Sequence, residues 1–121
     1  MDITAQKELS FITITVRVTR LGEDFAVIVS GGKCHVGGCV LALPRPSLTG
    51  DGTVSSTASV LNVTGHKDEE ILRYIAQEIS AKKNTVVVCS GGVHTDNITK
   101  EQIAEIKTAI KEITQELLLS L

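Results

Sequence analysis

FITITVRVTR, residues 11–20, alternates without a break: Ile12, Ile14, Val16 and Val18 fall on one side, Thr13, Thr15, Arg17 and Thr19 on the other. Successive side chains of an extended chain point to opposite faces, so a period of two marks a β-strand with one face buried and the other wet. Leu21-Gly22-Glu23-Asp24 follows as a hairpin connection, and FAVIV, residues 25–29, is a second strand, apolar on both faces and therefore central. Ser30-Gly31-Gly32-Lys33 turns the chain into a third strand, residues 36–43. The adjacent Gly37 and Gly38 in it point to a bulge or to a ligand approaching the backbone.

Beyond the loop PRPSLTGDG, residues 44–52, a fourth strand rich in Ser and Thr spans residues 54–63. Asp68 is placed to cap a helix running to about Lys82, whose buried stripe is Ile71, Leu72, Ile75, Ala76 and Ile79. TVVVC, residues 85–89, is a fifth strand, apolar on both sides. Thr99 and Gln102 make a capping box for a last helix, along which Ile103, Ile106, Ile110, Ile113 and Leu117 recur three and four apart. The order β-β-β-β-α-β-α predicts an α+β fold: a mixed, mainly antiparallel five-stranded sheet with two helices on one face. Early strands favour hairpins; the fourth strand, the helix and the fifth strand form a crossover with a parallel pairing. The uncovered face, carrying Thr13, Thr15, Arg17 and Thr19, is expected to meet water or a polar dimer contact.

A chain of 121 residues suits a single domain, 1–121, with a core of its own. A hydrophobic content of 42% argues against disorder. Net charge of -2, 2% aromatic residues and no Trp remove the basic field and the stacking platforms that nucleic acid needs. No apolar run reaches the length of a bilayer, so no membrane partner is expected. MDITAQKELS shows no signal peptide, and Cys34, Cys39 and Cys89 form no C-x-x-C pair. The expectation is a cytoplasmic protein whose reduced cysteines are small core residues.

Chemistry gathers in the loops. Each histidine lies beside glycine at the end of an element: His35 in SGGKCHVGG, His66 in VTGHKDEE and His94 in SGGVHTDN. Between residues 25 and 66 only Lys33, Arg45 and Asp51 carry charge. Burial in an oligomer or a ligand cleft explains such a stretch, and a cleft at a subunit contact explains it by both routes. Gly-rich strand ends let backbone N–H groups turn toward an anion, and the loops around His66-Lys67 and His94 lead into helix N-termini, where unpaired donors also favour anions. Arg45, held between Pro44 and Pro46, is a guanidinium on a stiff stem with the Ser47 hydroxyl beside it, suited to gripping a phosphate. A phosphate-bearing small molecule is the ligand class these features favour.

The same residues allow other readings. His66, His94 and Asp96 make a candidate two-histidine, one-carboxylate set for a divalent metal ion; equally, Asp96 or Asn97 closes a turn through its side chain. Zinc through Cys34, His35 and Cys39 matches no finger spacing. Ser30 and Ser90 precede Gly-Gly without a G-x-S-x-G elbow, so nucleophilic catalysis has little support.

GGKCHVGG, LALPRPSL, TGHKDE and GGVHTDNIT, in this order, resemble the small LpdD-like proteins that accompany UbiD-type decarboxylases, for example as the D subunit of gallate decarboxylase systems. The resemblance covers the chain from the second strand onward. It implies a chaperone or maturation factor for prenylated FMN, more a cofactor-binding protein than a catalyst, that carries the modified flavin to a UbiD-type decarboxylase. The binding positions it implies here are His35, Gly37, Arg45, Ser47, His66, Lys67, His94, Asp96 and Asn97. With one Tyr and no Trp, aliphatic side chains and backbone would have to sandwich the flavin ring. A homodimer with its cleft near the subunit contact is expected from the charge-poor middle. The alternatives are a small metal-dependent enzyme using His66, His94 and Asp96, and a structural subunit of a decarboxylase complex. The flavin reading requires Arg45 and the three histidine loops to converge on one anion-gripping pocket.

Overall fold

The computed structural model describes residues 2–63 and 68–121. In chain order its elements are β1 (Asp2–Glu8), β2 (Thr13–Leu21), β3 (Asp24–Gly32), β4 (Gly38–Pro46), β5 (Val54–Asn62), α1 (Glu69–Lys83), β6 (Val87–His94) and α2 (Lys100–Ser120). The strands form one sheet in the order β1-β2-β3-β6-β4-β5, antiparallel at every pairing except β3 with β6. Both helices lie on one face, as the pattern predicted, and share a core with Ile14, Val16 and Val18 from the alternating strand. None of the described helices is long and apolar enough to cross a membrane.

Two details differ from expectation. The described residues form six strands where five were expected, because DITAQKE forms β1 at the sheet edge. Its alternation is hard to read because Lys7 takes an inward position: the stem packs down while the ammonium reaches Glu112 on α2. The parallel pairing also lies elsewhere. It was expected between the strands either side of α1, but β4 pairs with both β5 and β6 and separates them, so β6 finds its parallel neighbour in β3. The sequences FAVIV and TVVVC, apolar on both faces, thus stand side by side in the middle of the sheet.

The tripeptide Pro44-Arg45-Pro46 belongs to β4 rather than to a loop. Pairing of β4 with β6 stops at Ala42, beyond which β4 is bonded on the β5 side only. A strand with one free side tolerates residues that lack an N–H. The capping box forms as predicted: the Gln102 N–H donates to Thr99 Oγ1 at 3.1 Å and the Thr99 N–H to Gln102 Oε1 at 3.0 Å. Asp68, by contrast, stands before α1 without using its side chain as a cap. Among the cysteines only Cys89 is fully buried, where desolvation pushes its thiol well up; Cys39 is half-buried and Cys34 exposed, and all three are free.

Ile75, on the inner face of α1, is completely buried. Urea unfolding of Ile75→Ala should show a loss of about 2–5 kcal/mol, and Thr99→Ala a loss of about 1 kcal/mol from the missing cap.

Candidate functional site

The C-terminal ends of the parallel strands β3 and β6 finish together, with Gly32 opposite His94. The loop from β3 to β4, the start of α1 and the turn from β6 to α2 all meet at this end of the sheet. The Lys33 N–H donates to the His94 carbonyl at 2.8 Å, and the Gly37 N–H donates to the Gly91 carbonyl at 2.8 Å. These backbone bonds hold the glycine-rich loop against the end of β6.

Asp68 is the centre of the arrangement. Its carboxylate is buried; Oδ1 accepts the Val93 N–H at 2.9 Å and Oδ2 lies 2.9 Å from His35 Nε2. His35 Nδ1 lies 3.1 Å from the Lys33 carbonyl oxygen, which only accepts, so that nitrogen carries a proton and donates. The imidazole is thereby fixed at both nitrogens. It stands edge-on to His94, with ring centroids 5.6 Å apart and planes at 83°.

The glycines explain how the carboxylate fits. A Cβ on Gly37 would lie 1.9 Å from Asp68 Oδ2, and one on Gly92 would lie 2.8 Å from the same oxygen and 2.9 Å from the His35 ring. Close approach to the backbone was expected at Gly37, and the approaching group is the protein's own carboxylate. At Gly91 the reason is different: φ is +117° and a Cβ would meet the Val29 carbonyl oxygen at 2.0 Å.

At the rim, the Lys33 ammonium lies 2.5 Å from Asp96 Oδ2, and His94 Nε2 lies 3.3 Å from Asp96 Oδ1. Lys33 first, and His94 second, hold the Asp96 carboxyl below the ordinary carboxylate range. Asn97 takes the left-handed conformation, φ 54°, that turns the chain into Thr99 and α2.

Beside this cluster a cleft of about 410 Å³ opens between α1, the end of β6 and α2. Its walls are aliphatic, from Ile71, Val93, Ile98, Ile103 and Ile106, and its polar edge carries Asp68, His94 and Thr95. Lys107 and Glu70, 3.3 Å apart, join the two helices across the outer rim. This is the size and character of a pocket for a small molecule with an apolar body.

His35, Gly37, His94, Asp96 and Asn97 therefore share one end of the sheet, whereas His66 and Lys67 lie outside the described residues. Arg45 and Ser47 do not join them within one chain. At about 3.3 Å per residue, β4 carries Arg45 roughly 23 Å from Gly38. Arg45 also follows Leu41 and Leu43 onto the face that the helices leave open, where Nε donates to Thr57 Oγ1 at 2.8 Å and Nη1 to the Pro46 carbonyl at 3.1 Å. Ser47 bonds to Thr49, hydroxyl to hydroxyl, at 2.9 Å. The expected convergence of Arg45 with the histidine loops is not formed by a single chain. Nor do the described residues gather three or more His, Cys, Asp or Glu side chains as metal ligands; of the candidate metal set they include only His94 and Asp96.

Lys33 and Asp68 are the site residues that sequence reasoning missed. Asp68 carries a cap signal by position, and only the facing glycines of two distant segments, Gly37 and Gly92, show that its carboxylate goes elsewhere. Asp68→Ala leaves the Val93 N–H without its acceptor, and chemical denaturation should record a loss of about 1–3 kcal/mol. Gly37→Ala should expel the carboxylate and shift the His35 ring resonances in an NMR spectrum. In an NMR acid titration, the Asp96 carboxyl should protonate below the ordinary range. Its contact with Lys33 is then present above that range and lost as pH falls through the lowered value.

Residues 8–121 match the family model described as the prenylated flavin chaperone LpdD-like domain. Comparison with curated proteins found no match. Among solved structures, a similar chain occurs in the crystal structure of a novel chaperone complex for yeast 20S proteasome assembly. It is 14% identical, with a TM-score of 0.60 over 97% of this chain and 94% of that one. At that identity the likeness shows the fold alone.

Proposed function

Because the chain belongs to the prenylated flavin chaperone LpdD-like family, we propose that it binds prenylated FMN in the cleft beside His35 and His94 and hands it to a UbiD-type decarboxylase. The observation that carries the reading is the aliphatic cleft ending at His94 and Asp68, with the His35 ring edge-on to His94. A tricyclic flavin with an added prenyl ring is a large apolar slab, and the walls formed by Ile71, Val93, Ile98, Ile103 and Ile106 suit one without an aromatic platform. The polar edge of the ring would meet His94 and Thr95. His66 and Lys67, which precede Asp68 in the chain, are the proposed cationic contacts for the phosphate.

Carriage differs from turnover in what it asks of a site. The protein has to bind, shield and release, which an open cleft on rigid elements permits. The three free thiols fit a reducing compartment, and the carrier is proposed to work in the cytoplasm. A divalent ion shared between the flavin phosphate and His66, His94 and Asp96 is a separable part of the proposal. Chelation leaves flavin affinity unchanged if no ion takes part.

Titration with reduced prenylated FMN should give a stoichiometric complex with an altered flavin spectrum. His94→Ala should weaken binding about two- to tenfold, the equivalent of about 0.5–1.5 kcal/mol for one hydrogen bond to the ring edge. Absence of binding by the wild-type protein would overturn the reading. A larger loss from Arg45→Ala than from His94→Ala would move the ligand to the β4–β5 corner.

A further inference from the structure

A sheet that does not close on itself has two edges, and here they are built differently. β1, at one edge, carries Asp2, Lys7 and Glu8, with Lys7 in an inward position. Charges of this kind keep a further strand from adding to an edge. β5, at the other edge, reads VSSTASVLN and holds no charge, proline or glycine. Its register against β4 runs without a bulge from Gly38 opposite Asn62 to Pro46 opposite Val54. A long, unguarded edge of this sort is a template for another strand.

Hydrogen-bond parity shows which backbone groups the edge offers. The register extends past both ends of the pair, where the Ser47 N–H donates to the Thr53 carbonyl and the Val63 N–H to the Gly37 carbonyl, each at 2.9 Å. Bonded pairs therefore fall on the odd positions of β5. Alternation then turns the N–H and C=O groups of Val54, Ser56, Ala58, Val60 and Asn62 away from β4. Pro44 and Pro46, which have no N–H to give, stand opposite Ser56 and Val54, in the pairs that need none. On α1, the Gln77 side chain donates to the Ser56 carbonyl at 3.4 Å and the Gln77 carbonyl accepts the Ser56 hydroxyl at 3.1 Å. Ser56 is thus covered. The outward groups of Ala58, Val60 and Asn62 have no backbone partner among the described residues.

We infer that this open half of the edge, Ala58 to Asn62, receives an extended segment of another polypeptide chain as an added antiparallel strand, lying in the angle between β5 and the flank of α1. Main-chain bonds carry the affinity in such a contact, and alternate side chains carry the selectivity. Charge decides the kind of segment. The start of α1 lies at the Asn62 end of β5, since Asp68 packs against Gly37. Arg73, four residues before Gln77 on the same side of the helix and about 6 Å along its axis, is therefore about level with Ala58. It pairs with Glu69 at 3.5 Å and stays half exposed. An uncharged strand with one carboxylate on the helix side meets this guanidinium. A second copy of the chain, paired about a twofold axis through the open half, would instead set Arg73 against Arg73. The inference stands on the sheet edge and does not depend on the flavin reading.

Amide hydrogen exchange read by NMR tests it, with the peptide acetyl-Thr-Val-Thr-Glu-Thr-Val-Thr-amide as the probe. In the protein alone, the amides of Ala58, Val60 and Asn62 should exchange fast and those of Thr57, Ser59 and Leu61 slowly. Peptide at about 1 mM should slow the first set and leave β1 unchanged. Lysine in place of the peptide's glutamate should weaken binding about two- to fivefold. Ala58→Pro removes an outward N–H while the pairing with β4 is kept, so it should weaken peptide binding about tenfold. Asn62→Pro serves if that variant does not fold. A peptide that fails to slow Ala58, Val60 and Asn62, or that protects β1 equally, overturns the inference. So does a folded proline variant that binds as well as the wild type. Protection that appears without peptide and grows with protein concentration overturns it too, and gives the edge to a second copy.

Discussion

The Asp68 carboxylate accepts the Val93 N–H, pairs with His35, and does both while buried at the start of α1. Three segments far apart in the chain meet at these two contacts: the loop after β3, the end of β6 and the first turn of a helix. A buried carboxylate is costly unless its oxygens are matched by donors, and an unmatched one would open the structure to water. The match here is made by one backbone donor and one imidazole. Gly37 and Gly92 are what allow it, because a single methyl group at either position would occupy the space of an oxygen or of the His35 ring. The geometry of the cleft wall and the orientation of His35 toward His94 both follow from that packing.

The sheet imposes a second constraint. Its two-sided apolar strands, β3 and β6, lie in the centre as parallel neighbours, and β4 joins them from the other side. Helices α1 and α2 satisfy only one face of these strands. The chain therefore presents two surfaces of different kinds: a concave aliphatic cleft among helix starts and strand ends, and a broad flat apolar face behind it. A cleft suits a small molecule and a flat face suits another sheet, so the two need not compete.

The length of β4 separates groups that lie close together in the sequence. Gly37 and Arg45 are eight positions apart, but an extended chain turns that spacing into more than 20 Å, and alternation decides which face each residue meets. Prolines on both sides of Arg45 stiffen the strand and keep the side chain at its corner, bonded to Thr57. Within one chain, a ligand held in the cleft is out of reach of that guanidinium.

Local pattern was enough for several features. The alternation of residues 11–20 made β2, the stripe from Ile71 to Ile79 made the buried side of α1, and Thr99 with Gln102 made the cap of α2, because each depends on contacts within a few residues. The same pattern placed two helices on one face and marked His35, His94, Asp96 and Asn97 as loop residues at strand ends, whereas Gly37, read as part of the third strand, lies just before β4. Partner choice between strands was not legible, since β6 is as apolar toward β5 as toward β3, and only the hairpin of β4 with β5 decides which neighbour remains. β1 was hidden by a lysine in an inward position that Glu112, more than a hundred residues away, neutralises. The role of Asp68 was hidden for the same reason: its partners come from two other loops, and the space it occupies exists only where two glycines meet across the sheet. Local sequence sets the elements and their faces through short-range sterics and hydrogen bonding. Which side chains meet at the cleft, and which are held apart from it, was decided by long-range packing.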